Sequence, residues 1–119
     1  MTEQPYDIAE RAFGFAVCVV KLCRTLEQSP GVSRTLANQL LRSGTSIGAN
    51  LEESKGGQSR SDYLSKVSIA LKESRETHYW LRLLVATEVL PEGQLAPLID
   101  ESDQITAILT TIVKKLRQQ

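Results

Sequence analysis

The fold is decided by residues 98–116, which read LIDESDQITAILTTIVKKL. Apolar side chains recur there in steps of three and four, which is the spacing of one face of an α-helix and of a coiled-coil seam. Polar residues fill most of the other positions, so the segment predicts an amphipathic helix with one face in a core. The predicted seam consists of Leu98, Ser102, Ile105, Leu109, Ile112 and Leu116.

The same period recurs in three earlier segments, and each has a start signal of its own. Such signals are side chains that accept a hydrogen bond from the free N–H groups of the first turn. The first helix has the spacing of a capping box, in which Glu10 follows Asp7 by three residues. The expected starts lie at Pro5–Tyr6 with Asp7, at Ser33, and at Ser59 or Ser61.

Glycine and proline mark the ends of the predicted helices, at residues 29–31, 55–57 and 91–93. The third helix is the longest and is expected to run to Leu90. Inside the second helix, Gly44 and Gly48 each cost about 1 kcal/mol of helix propensity, so we expect another backbone to pack closely there. The predicted helices span residues of about 6–29, 34–55, 60–90 and 94–117.

Short connections between these helices require neighbours to run antiparallel. The sequence therefore predicts an all-α protein, a single domain of residues 1–119 folded as an antiparallel up-down-up-down four-helix bundle. Lys and Arg total 14 and Asp and Glu total 14, and this zero net charge argues against attraction of the whole protein to polyanions. Residues 13–20 and 79–90 carry more apolar surface than one core can take, which favours a homo-oligomer.

The N-terminal residues lack a signal-peptide pattern, and the longest uncharged run, residues 12–20, is about half of what spans a bilayer. Cys18 and Cys23 are expected to be buried free thiols in a reducing compartment. These features predict a cytoplasmic protein that does not enter a membrane.

The second and third helices carry a pattern that resembles a known family. Residues 46–53, SIGANLEE, resemble its second-helix signature, and residues 61–66, 69–77 and 79–84 resemble its third helix. The family consists of small four-helix-bundle proteins first noticed in intervening sequences of large-subunit ribosomal RNA genes. The resemblance spans nearly the whole chain and is most specific across these two helices.

The resemblance implies rings of subunits, typically homopentamers, with a biochemical role that is mostly unassigned. Relatives that accompany diversity-generating retroelements are accessory proteins that contact reverse transcriptase and nucleic acid. Those relatives are basic, whereas this chain is neutral. We therefore expect a non-enzymatic, self-associating scaffold or adaptor with a protein or nucleoprotein partner. The alternative is an accessory protein that binds nucleic acid weakly through one basic end of the bundle.

Enzyme motifs are absent from the sequence. The only histidine, His78, cannot supply the two Glu-x-x-His motifs of a di-metal bundle, and it is expected in the core or at an interface. No GxSxG occurs, and Gly56-Gly57 is not followed by the Lys-Ser/Thr pair of a phosphate-binding loop. The sequence predicts no catalytic residue, no metal and no cofactor.

Polar residues on the apolar sides of helices two and three form the first candidate site. Antiparallel pairing places Arg42 at the level of Glu76 or Arg75, and Ser43 at the level of Ser74. Carboxylates on an apolar stripe destabilise the fold unless they are paired. We expect a structural network in which Ser43 or Ser46 bonds Glu73, although a small polar or cationic ligand would also suit such a pocket. The network consists of Arg42, Ser43, Ser46, Asn50, Glu53, Glu73 and Glu76.

Basic residues form the second candidate site. The topology brings the end of the fourth helix beside the turn between helices two and three, so cations distant in sequence gather at one end of the bundle. Cations complement helix C-termini in any case, which explains part of the pattern without a ligand. The possible polyanion contacts are Lys55, Arg60, Lys66, Lys114, Lys115 and Arg117.

Overall fold

The computed structural model describes residues 7–56 and 59–118, and α-helices account for nearly all of them. These residues contain no strand, which confirms the all-α fold class. Gly57 and the predicted opening of the first helix at Pro5–Tyr6 lie outside the described residues. The four helices are α1 (Ile8–Leu26), α2 (Val32–Lys55), α3 (Arg60–Ala86) and α4 (Glu92–Arg117).

Each helix packs on the next one in the chain, as the up-down-up-down bundle requires. The bundle measures 46 × 24 × 22 Å. Helices α1 and α4 also pack on each other and complete the bundle, but their contact is smaller than that between the other neighbouring helices. One polar link crosses that seam, where Arg11 Nε donates to Glu101 Oε2 at 2.6 Å and Arg11 Nη2 donates to Gln104 Oε1 at 2.7 Å.

Two helices begin at the residues that their sequence signals indicate. The Asp7 carboxylate accepts from the Ala9 N–H at 2.9 Å, and the Ser59 hydroxyl accepts from the Asp62 N–H at 3.1 Å. Each bond satisfies one of the amide groups that a first helical turn leaves without a partner. Local sequence therefore determines where α1 and α3 begin.

Helix α2 begins earlier than its sequence signal indicates. Its N-cap is Gly31 at φ 91°, not Ser33, which lies inside the first turn. Glycine is suited to that position because a side chain is strained at positive φ. Two other helix bounds also differ from the prediction. Helix α1 ends at Leu26 rather than at residue 29, and α4 begins at Glu92 rather than at residue 94.

The end of α3 at Ala86, rather than at Leu90, is the largest difference from the prediction. Glu88 adopts a left-handed conformation with φ 62°. The Val89 N–H then donates to the Leu84 carbonyl and the Glu88 N–H to the Val85 carbonyl, both at 3.0 Å, which is the Schellman pattern. A glutamate in place of the usual glycine leaves no signal for this stop in the sequence.

The two glycines of α2 lie where α1 approaches most closely. A Cβ at Gly44 would come within 2.9 Å of Val19 Cγ1, and one at Gly48 would meet the Ala12 backbone carbonyl carbon at 3.5 Å. The expected close approach of another backbone is therefore found at Gly48. At Gly44 a buried valine side chain occupies the space instead.

The two cysteines differ in environment, so the prediction of two buried thiols is wrong for one of them. Cys23 is buried, and its thiol donates to the Ala37 carbonyl at 3.4 Å. Burial raises the pKa of Cys23 to about 11, because the charged thiolate loses its hydration. Cys18 is exposed on the opposite side of α1, since a separation of five residues turns a helix by about 140° beyond one full turn.

Candidate functional site

A charged cluster joins α2 to α3 at the predicted level. Arg42 Nη1 lies 3.4 Å from Glu73 Oε1, and its Nη2 contacts Glu76 Oε2. Trp80 Nε1 also donates to Glu76 Oε2, at 2.9 Å. The Arg42 side chain is 51% exposed, whereas that of Glu73 is only 14% exposed. The guanidinium therefore covers a largely buried carboxylate from the solvent side.

The serines of the predicted network do not bond Glu73. Ser43 is fully buried, and its hydroxyl accepts from Thr77 Oγ1 at 3.0 Å, one helical turn from where the sequence register places it. The Ser46 hydroxyl donates to the Arg42 carbonyl at 2.7 Å, because short polar side chains in a helix often bond the preceding turn. Sequence reasoning therefore placed Arg42 at the correct level and missed Thr77 as the partner of Ser43.

The remaining two residues of the predicted network lie apart from this cluster. Asn50 Nδ2 donates to the Ser46 carbonyl at 2.9 Å, within α2. Glu53 Oε1 pairs with Lys66 Nζ at 2.7 Å, about three helical turns from the arginine. Of the predicted network, the structure therefore brings together Arg42, Glu73 and Glu76, whose contacts join α2 to α3.

His78 lies on the α4 side of α3. Its Nε2 is 3.1 Å from Asp103 Oδ1, and its side chain is 28% exposed, so it lies at the interface between the two helices. Over residues 7–56 and 59–118, no three His, Cys, Asp or Glu side chains are grouped closely enough to hold a metal ion.

The predicted basic end is partly neutralised. Lys55 Nζ lies 3.4 Å from both Asp7 Oδ2 and Glu52 Oε2, and Lys66 is held by Glu53. The amide of Ala9, which donates to the carboxylate, holds the pKa of Asp7 below its ordinary value, and Lys55 adds to that effect. Within the described parts of the chain, the other four cations of the set form no ion pair: Arg60, Lys114, Lys115 and Arg117.

Two of those four cations line a groove of about 190 Å³ between α3 and α4. We refer to it as the α3–α4 groove. Lys72 and Arg75, which sequence reasoning did not select, line its other wall. Their spacing of three residues on one helix is the signal that could have identified them. The lining residues are Ser68, Leu71, Lys72, Arg75, Thr110, Val113, Lys114 and Arg117.

The outside of α1 carries a stripe of exposed apolar side chains. Phe13 is 62% exposed, and Val17 and Val20 are each 38% exposed. Their spacing of four and three residues places them on one helix face, and we call this face the α1 stripe. In residues 79–90, the second apolar segment, Tyr79 is the one large hydrophobic side chain that is exposed, because Leu81, Leu84 and their neighbours pack into the core.

The fold and these surfaces define a small four-helix bundle with charged helix-to-helix contacts. Residues 4–111 match the 23S rRNA-intervening sequence protein family, and the chain belongs to that family. The resemblance in the second and third helices is thereby confirmed. No functionally curated protein matches the chain.

A solved relative extends the likeness to three dimensions. It is a protein of unknown function from the S23 ribosomal protein family of Bacteroides thetaiotaomicron VPI-5482, determined at 1.70 Å resolution. The two chains are 41% identical, with a TM-score of 0.84 over 91% of this chain and 99% of the relative. Neither the family nor this relative is assigned a known enzymatic activity. None of the described helices combines the length and apolarity that a membrane crossing requires.

Proposed function

We propose that this protein is a non-enzymatic helical scaffold or adaptor of the cytoplasm that acts as a homo-oligomer, a ring of five subunits. The observation that carries the proposal is the α1 stripe. Phe13, Val17 and Val20 form a continuous apolar face on the outside of the bundle, with the three-and-four spacing that packs against another helix. Association with a second copy would remove this face from water.

The charges around the stripe support association between copies. Lys21 and Arg24 continue the same face of α1 and line the shallow depression beside Val17 and Val20. The acidic residues Asp100 and Asp103 lie on α4, and their exposed carboxylates offer a complementary surface on a neighbouring subunit. Charge complementarity of this kind orients an interface whose affinity comes from the apolar centre.

Light scattering after size exclusion tests the proposal. We expect the wild-type protein to elute at five times the chain mass of 13.2 kDa. Phe13→Glu places a charge in the centre of the stripe and should reduce the mass to that of one chain. Val32→Glu is the matched control, because Val32 is 70% exposed and lies outside the stripe. A wild-type mass of one chain at micromolar concentration would contradict the proposal.

A second candidate function is accessory nucleic-acid binding through the basic end. Arg60 and Lys115 favour it, since both are exposed and neither pairs with another described residue. Lys55 and Lys66 are neutralised by carboxylates and weaken it. Reversing Arg60 and Lys115 to glutamate should abolish binding to RNA if this end is the contact surface. Unchanged binding by that variant would place the contact elsewhere.

A further inference from the structure

The charges of α3 are separated by the rotation of the helix. Residues 72–76 read KESRE, so bases and acids alternate along the sequence. On the helix surface Lys72 and Arg75 lie together on the α4 side, where both line the groove, while Glu73 and Glu76 lie on the α2 side in contact with Arg42. A chain of zero net charge thereby carries a local cluster of positive charge.

The α3–α4 groove contains four cations and no acidic lining residue. Lys72 and Arg75 from α3 and Lys114 and Arg117 from α4 line it, and the buried side chains of Leu71 and Val113 form its apolar floor. None of the four cations forms an ion pair with any residue that the structure describes. This distinguishes them from Lys55 and Lys66, which stand beside carboxylates.

The cations form a row along the groove. The hydroxyls of Ser74 and Thr106 are 2.8 Å apart and fix the antiparallel register of α3 and α4. In this register Lys114 lies level with position 66 and Arg117 with position 63. At 1.5 Å per residue the backbone positions from Arg75 to Arg117 span about 18 Å along the helix axes. Such a row suits a ligand with several anionic groups in line rather than a single anion.

We infer that the α3–α4 groove binds a linear chain of phosphate groups, supplied either by inorganic polyphosphate or by the backbone of a single-stranded nucleic acid. Guanidinium groups donate two parallel hydrogen bonds to a phosphate, and lysines contribute mobile point charges. All four cations line this one groove, so an extended chain of phosphates that follows it can reach each of them. The inference does not depend on self-association. Because it takes a phosphate ligand, it rests on the second candidate function. It shares Lys114 and Arg117 with the predicted basic end and adds Lys72 and Arg75 in place of the other four cations.

Fluorescence anisotropy of a labelled single-stranded oligo(U) RNA tests the inference, with inorganic polyphosphate and poly-glutamate as unlabelled competitors. At about 50 mM salt we expect saturable binding that polyphosphate competes and poly-glutamate does not. Contact with about four phosphates gives a slope near −3 of log affinity against log salt. If unlabelled RNA competes more strongly than polyphosphate, the source is a nucleic acid. If polyphosphate competes more strongly than unlabelled RNA, free polyphosphate is the source. Both results support the phosphate chain, whereas RNA binding that polyphosphate does not compete at all would show recognition of bases or sugars and would overturn the inference.

Charge reversals locate the site. The groove variants K72E/R75E and K114E/R117E should weaken binding at least about tenfold. The matched control R60E/K115E makes the same change in net charge at exposed residues outside the groove, and it should bind within about threefold of the wild type. Because all six side chains are exposed, circular dichroism should show unchanged helix content. K72Q/R75Q removes charge without adding carboxylates and should weaken binding in the same direction.

The possible failures are distinguishable. Absence of wild-type binding to RNA and to polyphosphate would overturn both the inference and the second candidate function. If R60E/K115E loses binding and the groove variants keep it, the inference fails while nucleic-acid binding through the basic end stands. Equal competition by poly-glutamate would show a general polyanion surface or an acidic protein partner, and would also overturn the phosphate site.

Discussion

The two sides of α3 carry similar numbers of charged residues and use them differently. On the α2 side, Glu73 and Glu76 meet Arg42, and Trp80 completes the contact. On the α4 side, Lys72 and Arg75 line a groove together with two further cations. Opposite charges on the first side stabilise a packed interface, whereas like charges on the second side repel and gain nothing from folding. The first arrangement is explained by stability, and the second requires another explanation.

The buried hydroxyl pair on the α2 side should show the largest effect. Thr77→Val removes the donor to Ser43, whose remaining bond to the Leu40 carbonyl is long at 3.4 Å. We expect a loss of about 1–2 kcal/mol in the free energy of unfolding, because a buried hydroxyl is left poorly satisfied. Denaturant unfolding monitored by circular dichroism measures it.

The matched substitution on the α4 side is Thr106→Val. It removes the partner of Ser74, which keeps a bond of 2.8 Å to the Leu71 carbonyl, so we expect a smaller loss of about 0.5 kcal/mol. Adding Ser43→Ala to Thr77→Val should recover part of the stability. A greater loss for Thr106→Val than for Thr77→Val would contradict the expectation that the hydroxyl pair between α2 and α3 stabilises the fold more than the pair between α3 and α4.

The arginine of the α2 side should contribute less than a buried ion pair. Arg42→Ala should cost about 1 kcal/mol, not the roughly 3–5 kcal/mol of a fully buried pair, since half of the Arg42 side chain is exposed. Unfolding measured at low salt and again at about 1 M salt tests this, because screening should reduce the difference. Arg60→Ala is the control and should leave stability unchanged. A salt-independent loss would show that the arginine acts through packing.

Local sequence determined much of this arrangement. Asp7 and Ser59 signal their helix starts, and antiparallel pairing places Arg42 at the level of Glu76 or Arg75, where Glu76 is found. Other features depend on geometry that the sequence does not display. Glu88 ends α3 in a conformation typical of glycine, and Ser43 meets Thr77, which lies one helical turn beyond Glu73, although Arg42 and Glu76 meet at the expected level.

The groove was missed for a similar reason. The predicted basic end relied on cations at the ends of helices, and two of these, Lys55 and Lys66, are neutralised by nearby carboxylates. Lys72 and Arg75 alternate with acidic residues in the sequence, and such a mixture of charges is typical of an ordinary solvent-exposed helix face. Only the position of α4 shows which charges of α3 remain without partners.

The central claim is that the acidic residues on the α2 side of α3 stabilise the fold, whereas the basic residues on its α4 side do not and remain free to bind a ligand. Neutralising one pair of charges on each side tests this claim most directly. The measurement is the free energy of unfolding at low salt for E73Q/E76Q and for K72Q/R75Q, which alter the same helical turn. We expect E73Q/E76Q to lose about 1 kcal/mol with its Arg42 contacts, and K72Q/R75Q to lose nothing because it relieves repulsion. An equal or greater loss for K72Q/R75Q would show that the groove cations stabilise the fold, and would contradict the division.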